Sequence, residues 1–373
     1  MHVFPSPPLA KPVFAPDDST VDDLAPCVNA ATLVLAGGKG TRLQQLTANE
    51  SKPALSFAGS NRIIDFTMAN CVRSGLQRLL VATQYAPDSL HRHLPSRWGC
   101  QFDAKGLQIR DGRNRYRGTA DAARRCWSQI TAMGGNQVMI LSADHIYEMD
   151  YCALLAAHRA SGAAVTVAAD TVPRAQASAF GVLEANAEGR ILSFEEKPDD
   201  PSGLVDRPDL SLISTGIYVF DRQWLQSVLF DHGGAALDFG RDVIPAAVVL
   251  GQAEAWHLQA GPSGATYWRD VGTLDALRLA HLDFVKTPPV RLPSACPVGD
   301  WYLGQNSVAM AGARVPTTAR LRNTLVGPDA RIPEGLVTGD DPAEDARWFT
   351  TTRIGTILIT QDMLDRRAAH YRT

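Results

Sequence analysis

The chain has 373 residues, 45% hydrophobic and 20% charged, a globular balance long enough for one large domain and a smaller one at about 100–200 residues each. With 36 basic and 39 acidic residues the net charge is -3, which leaves no bulk electrostatic footprint for nucleic acid or an anionic membrane. No apolar run approaches the roughly 18 residues that span a bilayer, and the N-terminus lacks the basic and apolar pattern of a signal peptide.

Residues 1–28 carry six prolines and the acidic pairs Asp17-Asp18 and Asp22-Asp23, without periodic apolar positions, and are expected to form a flexible arm. Order is expected to begin with a short β-forming run at 32–36 that ends in glycine. Further buried-strand patterns follow at Leu79–Thr83 and 138–142. Between them, 120–133 has Ala123, Trp127 and Ile130 at helical spacing after Thr119, a candidate N-cap. A helix at Tyr151–Ser161 and a strand at 163–169 complete a repeated strand–helix–strand order. That order implies an α/β, mostly parallel to mixed sheet with a ligand cleft at the carboxyl ends of its strands. A hairpin is expected over 180–198, then a strand at 213–220 and a helix at 273–284. From 296 to 340 short segments separated by Gly and Pro suggest two or three imperfect turns of a hexapeptide β-helix, the alternative being a structureless linker. The organisation read from this is an arm at 1–28, a main domain at 29–287 and a shortened β-helix-like domain at 288–373. The six cysteines are scattered with no CxxC pair, which argues against a zinc knuckle or disulfide scaffold and fits a reducing cytoplasm.

The strongest local feature is Leu35-Ala36-Gly37-Gly38-Lys39-Gly40-Thr41-Arg42-Leu43. Glycines directly after a strand let backbone N–H groups approach an anion with no Cβ in the way. The spacing is not that of a P-loop, because Gly40 rather than Ser or Thr follows Lys39. Nor is it the dinucleotide fingerprint, because Leu43 stands where its third glycine belongs. On this loop alone, a ligand-free tight turn stays open as a reading. Arg42, with Lys39 and Lys52-Pro53 nearby, adds positive charge where a polyphosphate would lie.

The loop and Lys52-Pro53-Ala54 resemble the signature of sugar-1-phosphate nucleotidylyltransferases. The blocks that follow are Arg62-Ile63-Ile64-Asp65-Phe66, Thr83-Gln84-Tyr85, Tyr116-Arg117-Gly118-Thr119-Ala120-Asp121 and Ala143-Asp144-His145-Ile146-Tyr147. Downstream come Phe194-Glu195-Glu196-Lys197-Pro198, Asp238-Phe239-Gly240-Arg241-Asp242 and Tyr267-Trp268-Arg269-Asp270-Val271-Gly272-Thr273. In this order they are similar to the bacterial ADP-glucose pyrophosphorylase family, densely over 31–285 and more loosely over 345–364. The resemblance implies a nucleotidyltransferase domain followed by a left-handed β-helix, and a reaction joining ATP and glucose 1-phosphate with release of pyrophosphate. It also implies Mg²⁺, a cytoplasmic homo-oligomer (usually a tetramer) and a role in α-glucan synthesis.

The same resemblance assigns residues to that chemistry, which needs alignment and charge neutralisation rather than a covalent intermediate. It implies that Arg42, Lys52 and Asp144 are catalytic, with Asp144 and Asp270 holding the metal as one or two carboxylates hold Mg²⁺. It places ATP on Gly37, Gly38, Gly40, Thr41, Gln84, Gly118 and Thr119, the Gln84 amide being able to read adenine through a donor and an acceptor. Glucose 1-phosphate falls to Tyr116, Gly181, Glu196, Lys197, Ser214 and Asp270. His145 and Asp65 are expected to be supporting residues rather than ligands.

The sequence departs from the family pattern at three places. Glu50 stands where an arginine is usual, Lys39 keeps a charge but loses a guanidinium, and Asn29 matches a regulatory lysine. Glu50 thereby reverses a charge near the polyanion site, while Asn29 and the shortened tail imply weak or altered activation by fructose 1,6-bisphosphate. Two other readings stand beside the leading one: a non-catalytic paralogue that binds sugar phosphates and modulates a partner, and a nucleotidylyltransferase for another base or sugar.

Overall fold

The architecture is that of a computed structural model, which describes residues 2–3, 30–113, 115–231, 237–258 and 266–372. Nine strands form one sheet: β1 (Ala30–Ala36), β2 (Leu79–Thr83), β3 (Leu107–Asp111), β4 (Gln137–Ser142), β5 (Val165–Pro173), β6 (Gly181–Ala185), β7 (Ile191–Glu196), β8 (Leu210–Asp221) and β9 (Ala253–His257). Their main path runs β7-β6-β8-β4-β1-β2-β3, with β5 on β8 and β9 on β5. The β4-β1-β2-β3 core is parallel, as its strand–helix alternation requires, whereas β8 enters antiparallel to both β4 and β5. Buried on both faces, β1, β2 and β4 read as continuous apolar runs rather than alternating ones.

Several expectations change on contact with the structure. The helix expected over 120–133 is two pieces, Thr119–Arg125 and Trp127–Ala132, broken where Cys126 leaves helical geometry at φ -89, ψ 1. Its N-cap is Gly118, not Thr119. β5 and β8 extend beyond 163–169 and 213–220 because they pair with each other from Leu210–Pro173 to Phe220–Val165. Within the lead, His2–Val3 pairs antiparallel with Arg314–Val315, so its tip is tied to the C-terminal region. The remaining residues of the expected arm, 1 and 4–28, and Asn29 lie outside the described residues. Cys71, Cys100, Cys126 and Cys296 are free thiols, but Cys152 is disulfide-bonded, so the reading of scattered thiols fails there.

The segment after residue 300 is a β-helix rather than a linker. Parallel pairings recur 17 positions apart on three faces: Val308 with Leu325, Arg314 with Arg331, and Arg320 with Val337. That offset is close to three hexapeptides per coil. A last strand, Ile357–Ile359, stacks on Thr324–Val326 after the intervening helix Pro342–Trp348. The coils are not a detached unit. Leu325, Val326 and Leu358 share one apolar cluster with Leu43, Phe57, Phe66, Phe284 and Trp301 of the larger domain. Polar ties reinforce the seam. Buried Arg278 donates to Thr356 Oγ1 (2.9 Å) and Asn306 O (3.1 Å), and Ser294 N donates to Asn61 Oδ1 (2.7 Å). The glycine loop is therefore braced from behind by the β-helix. No helix among the described residues is long and apolar enough to cross a membrane.

Candidate active site

At the carboxyl ends of β1, β2 and β4 lies an open cleft of about 580 Å³. The glycine loop forms one wall. Gly40 sits at φ +68, and a Cβ there would approach Lys52 Cβ to 2.8 Å, so this position requires glycine. Its carbonyl accepts from Leu43 N and Thr47 Oγ1, which pins the loop. Gly37 and Gly38 line the cleft, whereas Gly40 and Thr41 do not. Gln84 lines it too, and one amide hydrogen is spent on Tyr116 O (3.1 Å).

At the cleft floor four side chains from distant segments meet. Lys52 Nζ donates to Asp144 Oδ2 (3.0 Å) and to Asp270 Oδ1 (2.5 Å), and Arg42 Nη2 reaches Asp270 Oδ2 (3.2 Å). A two-strand ribbon explains the meeting: Trp268–Asp270 pairs with His145–Tyr147 and sets Asp270 opposite His145, one residue past Asp144. Gly272 leaves the space they need, since a Cβ there would lie 2.6 Å from Arg42 Nη2 and 2.9 Å from both Asp270 oxygens.

The electrostatics follow from burial and pairing. Burial opposes the charge on Asp144, but His145, Lys52 and the Ser142 hydroxyl (2.6 Å from Oδ1) hold its carboxyl well below the usual range. Asp270 is likewise lowered against its burial, chiefly by Lys52. Burial works against the Lys52 ammonium too, yet Asp144 and Asp270 outweigh it and raise its pKa. All three are charged. Burial lowers the pKa of His145, with Asp144 and Asp270 opposing that shift and Lys52 adding to it. Its Nδ1 has no hydrogen-bond partner, and its ring lies 4.6 Å from that of Trp268.

Across the cleft Gly181, Glu196, Lys197 and Ser214 line the opposite wall. A register break in β8 between Ser214 and Tyr218, with Gly216 at φ +76, turns this stretch inward. Ser214 Oγ contacts Tyr218 OH at 3.1 Å and accepts from Gly216 N. Gly181 is register partner to Glu196, and Cβ atoms at Gly181 or Gly240 would meet the Glu196 carboxylate at 3.0 and 2.4 Å. Lys197 adopts φ +56, its amide donates to Phe180 O, and its ammonium pairs with Glu196.

Two expected ligands face other work. Tyr116 lines the cleft, but its hydroxyl, expected beside the sugar, lies 3.8 Å from Cys126 Sγ. Thr119 lines the cleft, but its hydroxyl donates to Asp238 Oδ2 (3.0 Å) and accepts from Phe239 N (2.9 Å). Nor are the first amides of its helix open to a phosphate, since Ala120 N and Asp121 N both donate to Leu237 O. Gly118 permits that approach, because a Cβ there would sit 2.4 Å from Leu237 O. Sequence reasoning missed Ser142, Phe180, Tyr218 and Asp238 as lining residues. The position of Ser142 at the end of an apolar strand was the available signal. Asp65 is a buried brace, accepting from Arg62 N, Trp98 Nε1 and His93 Nε2.

Residues 31–287 match the nucleotidyl transferase family, and 292–359 match the GlmU-like C-terminal hexapeptide family. A glucose-1-phosphate adenylyltransferase of Jannaschia sp. is 37% identical, with 90% of this chain and 96% of that protein covered. The corresponding proteins of Bradyrhizobium diazoefficiens (36%, 90% and 96%) and Gemmatimonas aurantiaca (37%, 90% and 97%) are similar to the same degree. The chain belongs to the glucose-1-phosphate adenylyltransferase family. The glycine loop, the Lys52–Asp144–Asp270 cluster and the Glu196–Lys197 wall all fall within its nucleotidyl transferase segment. The alignment to the Jannaschia adenylyltransferase runs over 403 positions, more than this whole chain, so that relative carries segments absent here.

Proposed function

We propose that this chain catalyses the Mg²⁺-dependent reaction of ATP with glucose 1-phosphate to give ADP-glucose and pyrophosphate, supplying an activated glucosyl unit for α-glucan synthesis. A phosphate oxygen of the sugar phosphate forms the new bond to the α-phosphorus, and the bond to the departing pyrophosphate breaks. No side chain need be modified, so the protein's task is to align two polyanions and offset their charge. One observation carries the reading: Lys52, Asp144 and Asp270 converge within 3.0 Å contacts at the end of the glycine-loop cleft.

The residues fit a divalent cation. Two carboxylates already turn toward one positive charge, and Gly272 keeps the space beside them clear. Among the described residues no group of three or more His, Cys, Asp or Glu could hold a metal alone. That suits Mg²⁺, which uses one or two carboxylates and completes its shell with phosphates and water. Asp144 and Asp270 would hold it, and when bound it would neutralise triphosphate charge. Lys52 and Arg42 meet the departing pyrophosphate, and Gly37, Gly38 and the free part of the Gln84 amide receive the nucleotide. Lys197 holds the sugar phosphate, while Glu196, Ser214 and the space at Gly181 face the hexose. We place the active protein in a homotetramer, which light scattering of the purified chain would test.

The test of activity is pyrophosphate release from ATP and glucose 1-phosphate with and without Mg²⁺, run in parallel with UTP, GTP and dTTP. Release that needs ATP, the sugar phosphate and the cation together is the expected result. Equal use of another nucleotide would redirect the base assignment, and no release with any would favour the non-catalytic reading.

A further inference from the structure

A second cavity, also about 580 Å³, opens at the opposite end of the sheet. It is bounded by the start of β4, the end of helix Tyr151–Ser161, the start of β5, the end of β8 and the turn before β9. Gln137 lines it while Ser142, at the other end of the same strand, lines the catalytic cleft. The two sites are therefore separated by the full length of β4.

Its frame is built from short backbone ties. Arg222 N donates to Asn136 O (2.9 Å), Asp221 N to Ala164 O (3.0 Å), and Ala164 N to Gln252 O (2.9 Å). His158 is 4% exposed and its Nδ1 lies 2.8 Å from Thr166 Oγ1. Burial drives its pKa down to about 4, so the imidazole is neutral. The Asn136 and Gln252 carboxamides are exposed, and neither makes a side-chain hydrogen bond to the described residues. Trp224 lies parallel to the buried ring of Phe220, 4° between planes at 6.2 Å between centroids, and borders the cavity.

The lining chemistry selects a ligand class. Arg159 and Asp221 cancel in formal charge, and no lysine lines the cavity. A phosphate or other polyanion finds no net positive field here, and a purely apolar ligand would strand the two amides and the carboxylate. What remains is a neutral molecule carrying many hydroxyl groups on an apolar C–H face. Two carboxamides and the Asp221 oxygen that does not accept from Trp224 N supply donors and acceptors to hydroxyls, and the indole beside them packs against C–H surfaces. The volume is within the range of about 300–1,000 Å³ of small-molecule sites. We propose that this cavity is a binding site for a neutral oligosaccharide, independent of the catalytic cleft, with Trp224 as its platform and Asn136, Asp221 and Gln252 as its hydroxyl-binding groups.

The experiment is isothermal titration calorimetry of the full chain with maltotetraose, cellotetraose and inorganic phosphate, each repeated with saturating ADP-glucose. One saturable site per chain is expected for at least one of the two sugars, unaffected by ADP-glucose, with no binding of phosphate that ADP-glucose leaves in place. Trp224→Ala should weaken that binding by about tenfold or more, the loss of one anchor group. Because Trp224 also packs on Phe220, the double variant Asn136→Ala/Gln252→Ala, at two exposed positions, provides the second arm and is expected to weaken binding similarly. Pyrophosphate release measured on the same samples is expected to be unchanged in both variants. The proposal is overturned if neither sugar saturates, if ADP-glucose abolishes the binding, if phosphate binds with ADP-glucose present, or if both variants bind as the unaltered chain does.

Discussion

The ammonium of Lys52 lies 2.5 Å from a carboxylate oxygen of Asp270, a residue 218 positions further along the chain. The contact joins the start of the main domain to its end, with the Lys52 side chain only 5% exposed. A buried cation is held here by two carboxylates at the floor of the cleft. The charge is thus kept preorganised at no cost in side-chain ordering during the reaction.

Replacing Lys52 with Met should lower kcat by about 10²–10³, the scale of losing one preorganised electrostatic group. KM for ATP should change far less, because the loss falls on the transition state. Lys52→Arg should not restore turnover, since an enclosed guanidinium cannot take up the same pair of contacts. Steady-state kinetics, with circular dichroism to verify folding, decides the matter; turnover within a factor of a few of the unaltered chain would remove Lys52 from the mechanism.

Asp144→Asn keeps shape and removes a charge. We expect a loss of about 3–4 kcal/mol of transition-state stabilisation. The requirement for Mg²⁺ should also shift to higher concentration, which a Mg²⁺ titration of pyrophosphate release would follow. Near-normal turnover at ordinary Mg²⁺ would dismiss the carboxylate pair as the metal site.

How much of this was legible in the sequence depended on distance along the chain. Asp144 could be placed because an apolar run at 138–142 ends two residues before it, and strand ends face the cleft. Asp270 could not be placed that way. Its position comes from a three-residue ribbon with His145–Tyr147 that leaves no alternating pattern, so only the family resemblance pointed to it. The surroundings of Thr119 were hidden for the same reason: the groups that occupy its hydroxyl, Asp238 and Phe239, lie about 120 positions away. Tyr116 shows the limit of a motif, which gives a residue's place in a loop but not the rotamer that points its hydroxyl toward Cys126. The β-helix was faint because its 17-residue offset recurs over too few coils to be distinctive in one sequence.

Lys197→Ala should raise KM for glucose 1-phosphate and leave that for ATP nearly unaltered, because the residue stands on the wall opposite the glycine loop. Since Lys197 sits at φ +56, Lys197→Gly relieves backbone strain as it deletes the ammonium. If the glycine variant loses sugar-phosphate affinity as the alanine variant does, the charge and not the backbone is responsible. A change confined to KM for ATP would put Lys197 in the wrong subsite.

Fructose 1,6-bisphosphate should produce little or no activation of the purified chain. Glu50 stands where the family pattern has an arginine, its Oε1 is buried without a hydrogen-bond partner, and its charge acts on Arg62. With Asn29 in place of the regulatory lysine that the family resemblance implies, and with a shortened C-terminal domain, an anionic sugar phosphate has fewer cations to meet. Initial rates measured across a bisphosphate titration provide the check, and a robust increase would contradict the expectation.

Acid should destabilise the fold partly through His281, which is 1% exposed and packed 4.3 Å from Phe57. Its Nδ1–H donates to Leu277 O (2.8 Å), and burial lowers its pKa to about 4 from the ordinary 6.5. The folded state therefore prefers the neutral ring. Between pH 6.5 and 4 the unfolded chain binds the extra proton, so stability is highest above pH 6.5 and declines as pH falls toward 4. The slope from one such group approaches about 1.4 kcal/mol per pH unit, or about 3 kcal/mol over the window. His281→Gln retains an N–H donor without the titration. Urea unfolding at pH 7 and pH 5 should show a smaller acid loss in that variant than in the unaltered chain, whatever its stability at pH 7. An identical loss in both would mean that His281 is protonated in the folded state or contributes nothing to the acid limb.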